Sequence, residues 1–199
     1  MGTYYEIEQN TGIPKAGTPL DTFIRKTNVT DYIPIEYAKE GSISPEVVTD
    51  FTGTTGAVRV RKFDSSTIED VVIDWQTPDN LDTSSDITFI VTGYITEATA
   101  PASNEGVSFK IAGYKISDND GLSGTFGSEV ESNNADLGGL IQGDLFILAE
   151  SGAITLTGLN AGDKVIIRLK RDTADADDDY GQDVGIDGVQ IKYSINKNA

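Results

Sequence analysis

From residue 57 onward, apolar and polar residues alternate with a period of two. Val58 and Val60 alternate with Arg59 and Arg61, and Ile87, Phe89, Val91 and Gly93 fall on one face of residues 86–95. In residues 107–117, Val107, Phe109, Ile111 and Gly113 oppose Ser108, Lys110, Ala112 and Tyr114. Residues 68–75, 144–150, 153–157, 164–171 and 184–195 complete about eight candidate strands, separated by Gly, Asn, Asp and Ser turns. No segment of this region carries a 3.6-residue period. The pattern predicts an all-β chain, an antiparallel β-sandwich or jelly roll. Its longest connection, residues 118–143, is rich in Gly, Ser and Asn and reads as a surface excursion.

Residues 1–56 read differently. They hold four of the six prolines (Pro14, Pro19, Pro34 and Pro45) and only brief apolar clusters, so they are expected to form an extended N-terminal arm. A single helical turn is predicted after Ser44, where Ser-Pro-Glu supplies an N-cap, a first-turn proline and an early acid. The chain thus divides into an arm, 1–56, and a sandwich, 57–199. The side chains expected to make assembly contacts from the arm are Tyr4, Tyr5, Phe23, Arg25, Tyr32 and Tyr37.

Charge sharpens this division. The chain carries 32 acidic and 15 basic residues, a net charge of −17. Residues 1–62 contain 8 acids and 7 bases, whereas residues 63–199 contain 24 acids and 8 bases. Such an acidic body repels nucleic-acid phosphates and anionic membrane, so neither is expected as a partner. The N-terminus lacks a basic segment followed by an apolar run, and no stretch reaches the roughly 18 apolar residues of a spanning helix, so neither signal peptide nor anchor is expected.

With no Cys and no His, the chain has no disulfides, thiolate metal sites, serine triads or imidazole acid–base chemistry. Carboxylate chemistry of the glycoside-hydrolase kind remains, but nothing selects a pair of acids, most of which lie in turns. The chain is therefore expected not to be an enzyme and to need no cofactor, Ca²⁺ apart. Residues 172–183 place Asp175, Asp177, Asp179 and Asp183 close together, a set of hard oxygen ligands suited to Ca²⁺. The spacing departs from an EF-hand loop, with Tyr180 at the Gly position and Ile186 at the twelfth. The competing reading is a solvated turn in which Asp caps its own backbone. Trp75, with Tyr94 and Tyr114, offers an aromatic platform for a glycan; otherwise Trp75 packs at the rim of the core.

Several segments in order (DWQTPDNLD, ITFIVTGYI, VSFKIAGYKISDNDGL, GTFGS, GDLFI, AITLTGLNAGDKVIIRLKRD and VGIDGVQIKY) resemble a jelly-roll domain of tailed-bacteriophage virion structural proteins. The resemblance covers residues 57–195. It implies a decoration, cement or fibre component, oligomeric and non-enzymatic, in which Trp75, Phe109, Phe126, Gly127, Phe146, Arg168 and Asp172 are packing positions and the Arg171-Asp172 step is a structural pairing. The reading it favours is a homotrimeric virion protein, assembled in the host cytoplasm. The arm would dock on the major capsid protein or neighbouring virion subunits, and the acidic sandwich would face solvent. The alternative is a receptor- or glycan-binding module of a tail or head fibre.

Overall fold

The computed structural model describes residues 26–49, 58–121, 123–134 and 136–196, together with the backbone of two short strands, β1 (Tyr5–Ile7) and β2 (Pro14–Ala16), which pair antiparallel. Tyr4, Phe23, Arg25 and the side chain of Tyr5 lie outside the described residues.

The remaining strands are β3 (Lys26–Pro34), β4 (Lys39–Glu40), β5 (Glu46–Thr49), β6 (Arg59–Phe63), β7 (Asp70–Gln76) and β8 (Thr88–Ile95). They are followed by β9 (Val107–Ile116), β10 (Val130–Asn134), β11 (Leu145–Ile147), β12 (Lys164–Arg171) and β13 (Val184–Asn196). One sheet runs β10-β9-β12-β7-β4 and the other β11-β8-β13-β6-β5, every pairing antiparallel. Strand β13 is long enough to take two partners on one side: Val184–Ile186 pairs with β6, and Gly188–Asn196 with β3. Between them Asp187 forms a bulge opposite β8.

The alternation places Val71, Ile73 and Trp75 of β7 beside Leu169, Ile167 and Val165 of β12, and Phe89 and Val91 of β8 beside Ile191 and Val189 of β13. All ten are buried and face one another across a single core, making the chain an antiparallel β-sandwich. Aromatic pairs join the sheets at both ends of β13. Phe63 meets Phe109 edge-on at 5.2 Å, and Trp75 meets Tyr193 at 5.2 Å.

Four expectations are corrected. Residues 26–49, assigned to the arm, are woven into the sandwich: β3 pairs with β13 over nine residues, β4 with β7 and β5 with β6. The helical turn after Ser44 is instead strand β5, because β-branched Val47, Val48 and Thr49 extend along β6. Residues 130–134 of the surface excursion form edge strand β10. Residues 153–157 form no strand. There Ser151 Oγ accepts the Phe89 N–H at 2.9 Å, and only scattered bonds such as Ile154 N–H to Ile87 O continue along β8. Among the described residues no helix is long and apolar enough to cross a membrane.

Candidate functional site

The acidic segment 172–183 is anchored by Arg171, whose side chain is fully buried at the end of β12. Its guanidinium donates to Asp178 through Nε (3.0 Å) and Nη2 (2.8 Å), and to the carbonyls of Tyr180 (2.8 Å), Gln182 (2.9 Å) and Phe63 (3.4 Å). The fork thus ties the end of β12 to the loop and to β6. Asp178 also accepts the Ser108 N–H at 3.0 Å, and Tyr180, 2% exposed, donates its hydroxyl to Thr99 O at 2.6 Å. The segment is therefore a plug over one end of the sandwich as well as a turn. One self-capping bond of the expected kind is present, from Asp177 N–H to Asp175 Oδ1 at 3.0 Å.

This plug separates the four aspartates grouped by spacing. Asp179 accepts the Gly106 N–H at 2.7 Å, while Asp183 accepts the Ser65 N–H at 3.0 Å and pairs with Lys62 at 3.2 Å. Neither belongs to the carboxylate group that the other two form. Asp175 and Asp177 converge instead with Glu131 of β10, their carboxylate oxygens lying within 4.8 Å of one another. Asn133 donates to Asp177 at 2.8 Å and also to Glu131, bridging the pair. These three half-buried carboxylates are the group that could ligate a hard cation. Glu131 escaped the sequence reading because VESNN shows no apolar alternation. The Arg171-Asp172 step also divides its partners, since Asp172 pairs with Lys110 rather than with Arg171.

The aromatic candidates do not form one platform. Trp75 is 5% exposed and interior, its indole N–H donating to Asp31 at 3.0 Å; Tyr193 donates its hydroxyl to the same oxygen at 3.0 Å. Burial and that bond push the Tyr193 phenol up to about 12. Tyr114 lies on the outer face of the five-stranded sheet, edge-on to Phe126 at 5.1 Å, and Phe126 in turn lies 4.6 Å beneath the Arg168 guanidinium. Tyr94 projects from the outer face of the other sheet, next to Leu145.

The two outer faces differ in character. On the five-stranded sheet charges neutralise each other: Lys39 and Lys164 share Asp74 at 2.6 Å each, and Arg168 and Lys170 share Glu129 at 2.8 Å each. The other sheet exposes Ile141, Leu145 and Ile147 around edge strand β11, and Tyr32 on β3. Of the expected assembly residues within the described chain, Tyr32 is half exposed and Tyr37 is 75% exposed. Tyr32 lies against Gly188, where an added Cβ would come within 2.3 Å of the ring, and its hydroxyl donates to Asp187 at 2.7 Å.

No protein-family model matches the chain, and no curated protein matches it significantly.

Proposed function

We propose that this chain is a structural component of a tailed-bacteriophage virion, a decoration or cement protein that assembles as a homotrimer among neighbouring subunits while its acidic sandwich faces solvent. One surface contrast carries the reading. Ile141, Leu145 and Ile147 are 47–62% exposed in and just before β11, which among the described residues pairs with β8 alone. Residues 137–148 around them contain a single charged residue, Asp144, in a chain of net charge −17. A like-charged copy can approach along this edge with little Coulomb repulsion, and burying apolar surface there contributes about 25 cal/mol per Å². Residues 1–25, which precede β3, take the docking role expected of the longer arm.

Light scattering coupled to size exclusion, on the full-length protein, tests the reading. A trimer mass is expected, with Leu145→Glu and Ile147→Glu variants reverting to monomers of unchanged circular dichroism. Deleting residues 1–25 should abolish attachment to phage heads while leaving the β-sheet spectrum intact. A monomer at every salt and protein concentration, or full attachment by the truncated chain, overturns it.

A further inference from the structure

The sandwich has two open sides, and each carries exposed apolar side chains. On one, edge strands β10 and β11 are joined where the Ala149 N–H donates to Asn133 O at 2.9 Å and Ser132 Oγ to Ala149 O at 2.7 Å. On the other, Arg61 holds edge strands β4 and β5 together, donating to Glu40 at 3.0 Å and to the carbonyls of Ala38 at 2.9 Å and Pro45 at 3.5 Å. Eight large apolar side chains are exposed among the described residues. Ile141, Leu145 and Ile147 belong to the first side, and Tyr37, Ile43, Val47 and Ile68 to the second, which leaves only Tyr32 elsewhere. With neighbouring strands about 4.8 Å apart, the row from β11 to β5 separates the two sides by roughly 19 Å.

The second side is shaped to receive a side chain. Ile43 and Ile68 flank a hollow of about 230 Å³, completed by Ser42, Asp70, Arg168 and Lys170. Its charged groups are already engaged. Asp70 Oδ1 accepts the N–H groups of Ser42 (2.8 Å) and Ile43 (3.3 Å), and Glu129 holds Arg168 and Lys170 at 2.8 Å each. What the hollow offers to a partner is therefore the two isoleucines and the aliphatic stems of the two cations. An aliphatic side chain suits that surface, and Arg168 and Lys170 favour a carboxylate at its margin over a further cation. The β11 side supplies both, since Ile141, Leu145 and Ile147 surround a lone acid, Asp144, which accepts the Ile141 N–H at 2.9 Å.

We infer that the β11 edge of one copy seats in the Ile43–Ile68 hollow of the next, a head-to-tail contact in which Asp144 faces Arg168 and Lys170. The inference rests on the assembly proposed above and names the surface that β11 meets. A contact between unlike patches repeats from copy to copy and closes at three when each turns by a third of a revolution. A contact of β11 with β11 would instead be two-fold and stop at a dimer.

Complementation between two monomeric variants tests the direction of the contact. Leu145→Glu spoils the β11 edge and leaves the hollow intact, and Ile43→Glu combined with Ile68→Glu does the reverse. An unpaired carboxylate buried in either surface should weaken self-association roughly a hundredfold, so each variant alone runs as a monomer in light scattering coupled to size exclusion. Mixed in equal amounts, they should recover a complex of dimer mass, because the intact β11 edge of one meets the intact hollow of the other. Circular dichroism should match that of the unsubstituted protein throughout. An unsubstituted protein that is monomeric overturns this inference together with the trimer. An oligomer that persists in the Ile43→Glu, Ile68→Glu variant, or a mixture that stays monomeric at millimolar concentration, overturns the head-to-tail contact alone.

Discussion

Arg171 and Asp178 form the most thoroughly buried ion pair in the described chain, with side chains 0% and 1% exposed. Two charges this deep are tolerated because every partner is supplied, including three carbonyls that no apolar replacement could satisfy. Asp178→Asn or Arg171→Met leaves one charge uncompensated and should cost about 3–5 kcal/mol, read from urea unfolding. Tyr193 gives a prediction in alkali. Its folded-state value near 12 lies above the roughly 10 of an unfolded tyrosine, so the native state retains a proton that the unfolded state has lost. Stability from this group is intact below pH 10 and falls through pH 12, by on the order of 2–3 kcal/mol. Lys62 and Lys110, raised by Glu97 and Asp172 respectively, add loss of the same sign. Denaturant midpoints between pH 9 and 12 should therefore fall less steeply for Tyr193→Phe, although that variant starts lower at pH 7 through loss of its bond to Asp31.

At the scale of the element, β13 organises the six-stranded sheet, and two glycines set how closely other groups approach it. At Gly93 of β8 an added Cβ would lie 2.5 Å from the Gly185 carbonyl, with Phe146 and Ile186 behind it. The carbonyl, being backbone, cannot withdraw without moving a strand. At Gly188 the obstacle is only the outer end of the half-exposed Tyr32 ring, which can swing away at the expense of its bond to Asp187. Gly93→Ala should cost about 3 kcal/mol, at the upper end for overpacking, and Gly188→Ala about 1 kcal/mol. Paired thermal melts would check the order, and equal costs would contradict the close approach of β8 and β13.

For the whole molecule, the net charge of −17 is a self-repulsion that the ion pairs on the five-stranded sheet relieve only locally. Added salt screens the repulsion more than it weakens these short pairs, so the thermal midpoint at pH 7 should rise from low to about 0.5 M NaCl. A midpoint that falls with salt would mean that the surface pairs outweigh the repulsion. The same screening should strengthen self-association along β11.

The sequence alone determined the strands in which apolar side chains alternate without interruption. β9 and β12 lie almost where the period of two puts them, because a buried face of Val, Phe and Ile leaves the same mark in any sandwich. It also determined the division of charge and the absence of thiol and imidazole chemistry. Only the tertiary structure decided the strands that carry polar residues inward. In β3, Asp31 points into the sandwich because Trp75 and Tyr193 arrive to donate to it; in β10, Ser132 does so because it reaches the Ala149 carbonyl at 2.7 Å. Such residues break the apolar pattern, and their partners lie up to 162 positions away. For the same reason spacing grouped four aspartates that the fold separates, and missed Glu131, which joins two of them. A site assembled across strands depends on register, which distant hydrogen bonds fix.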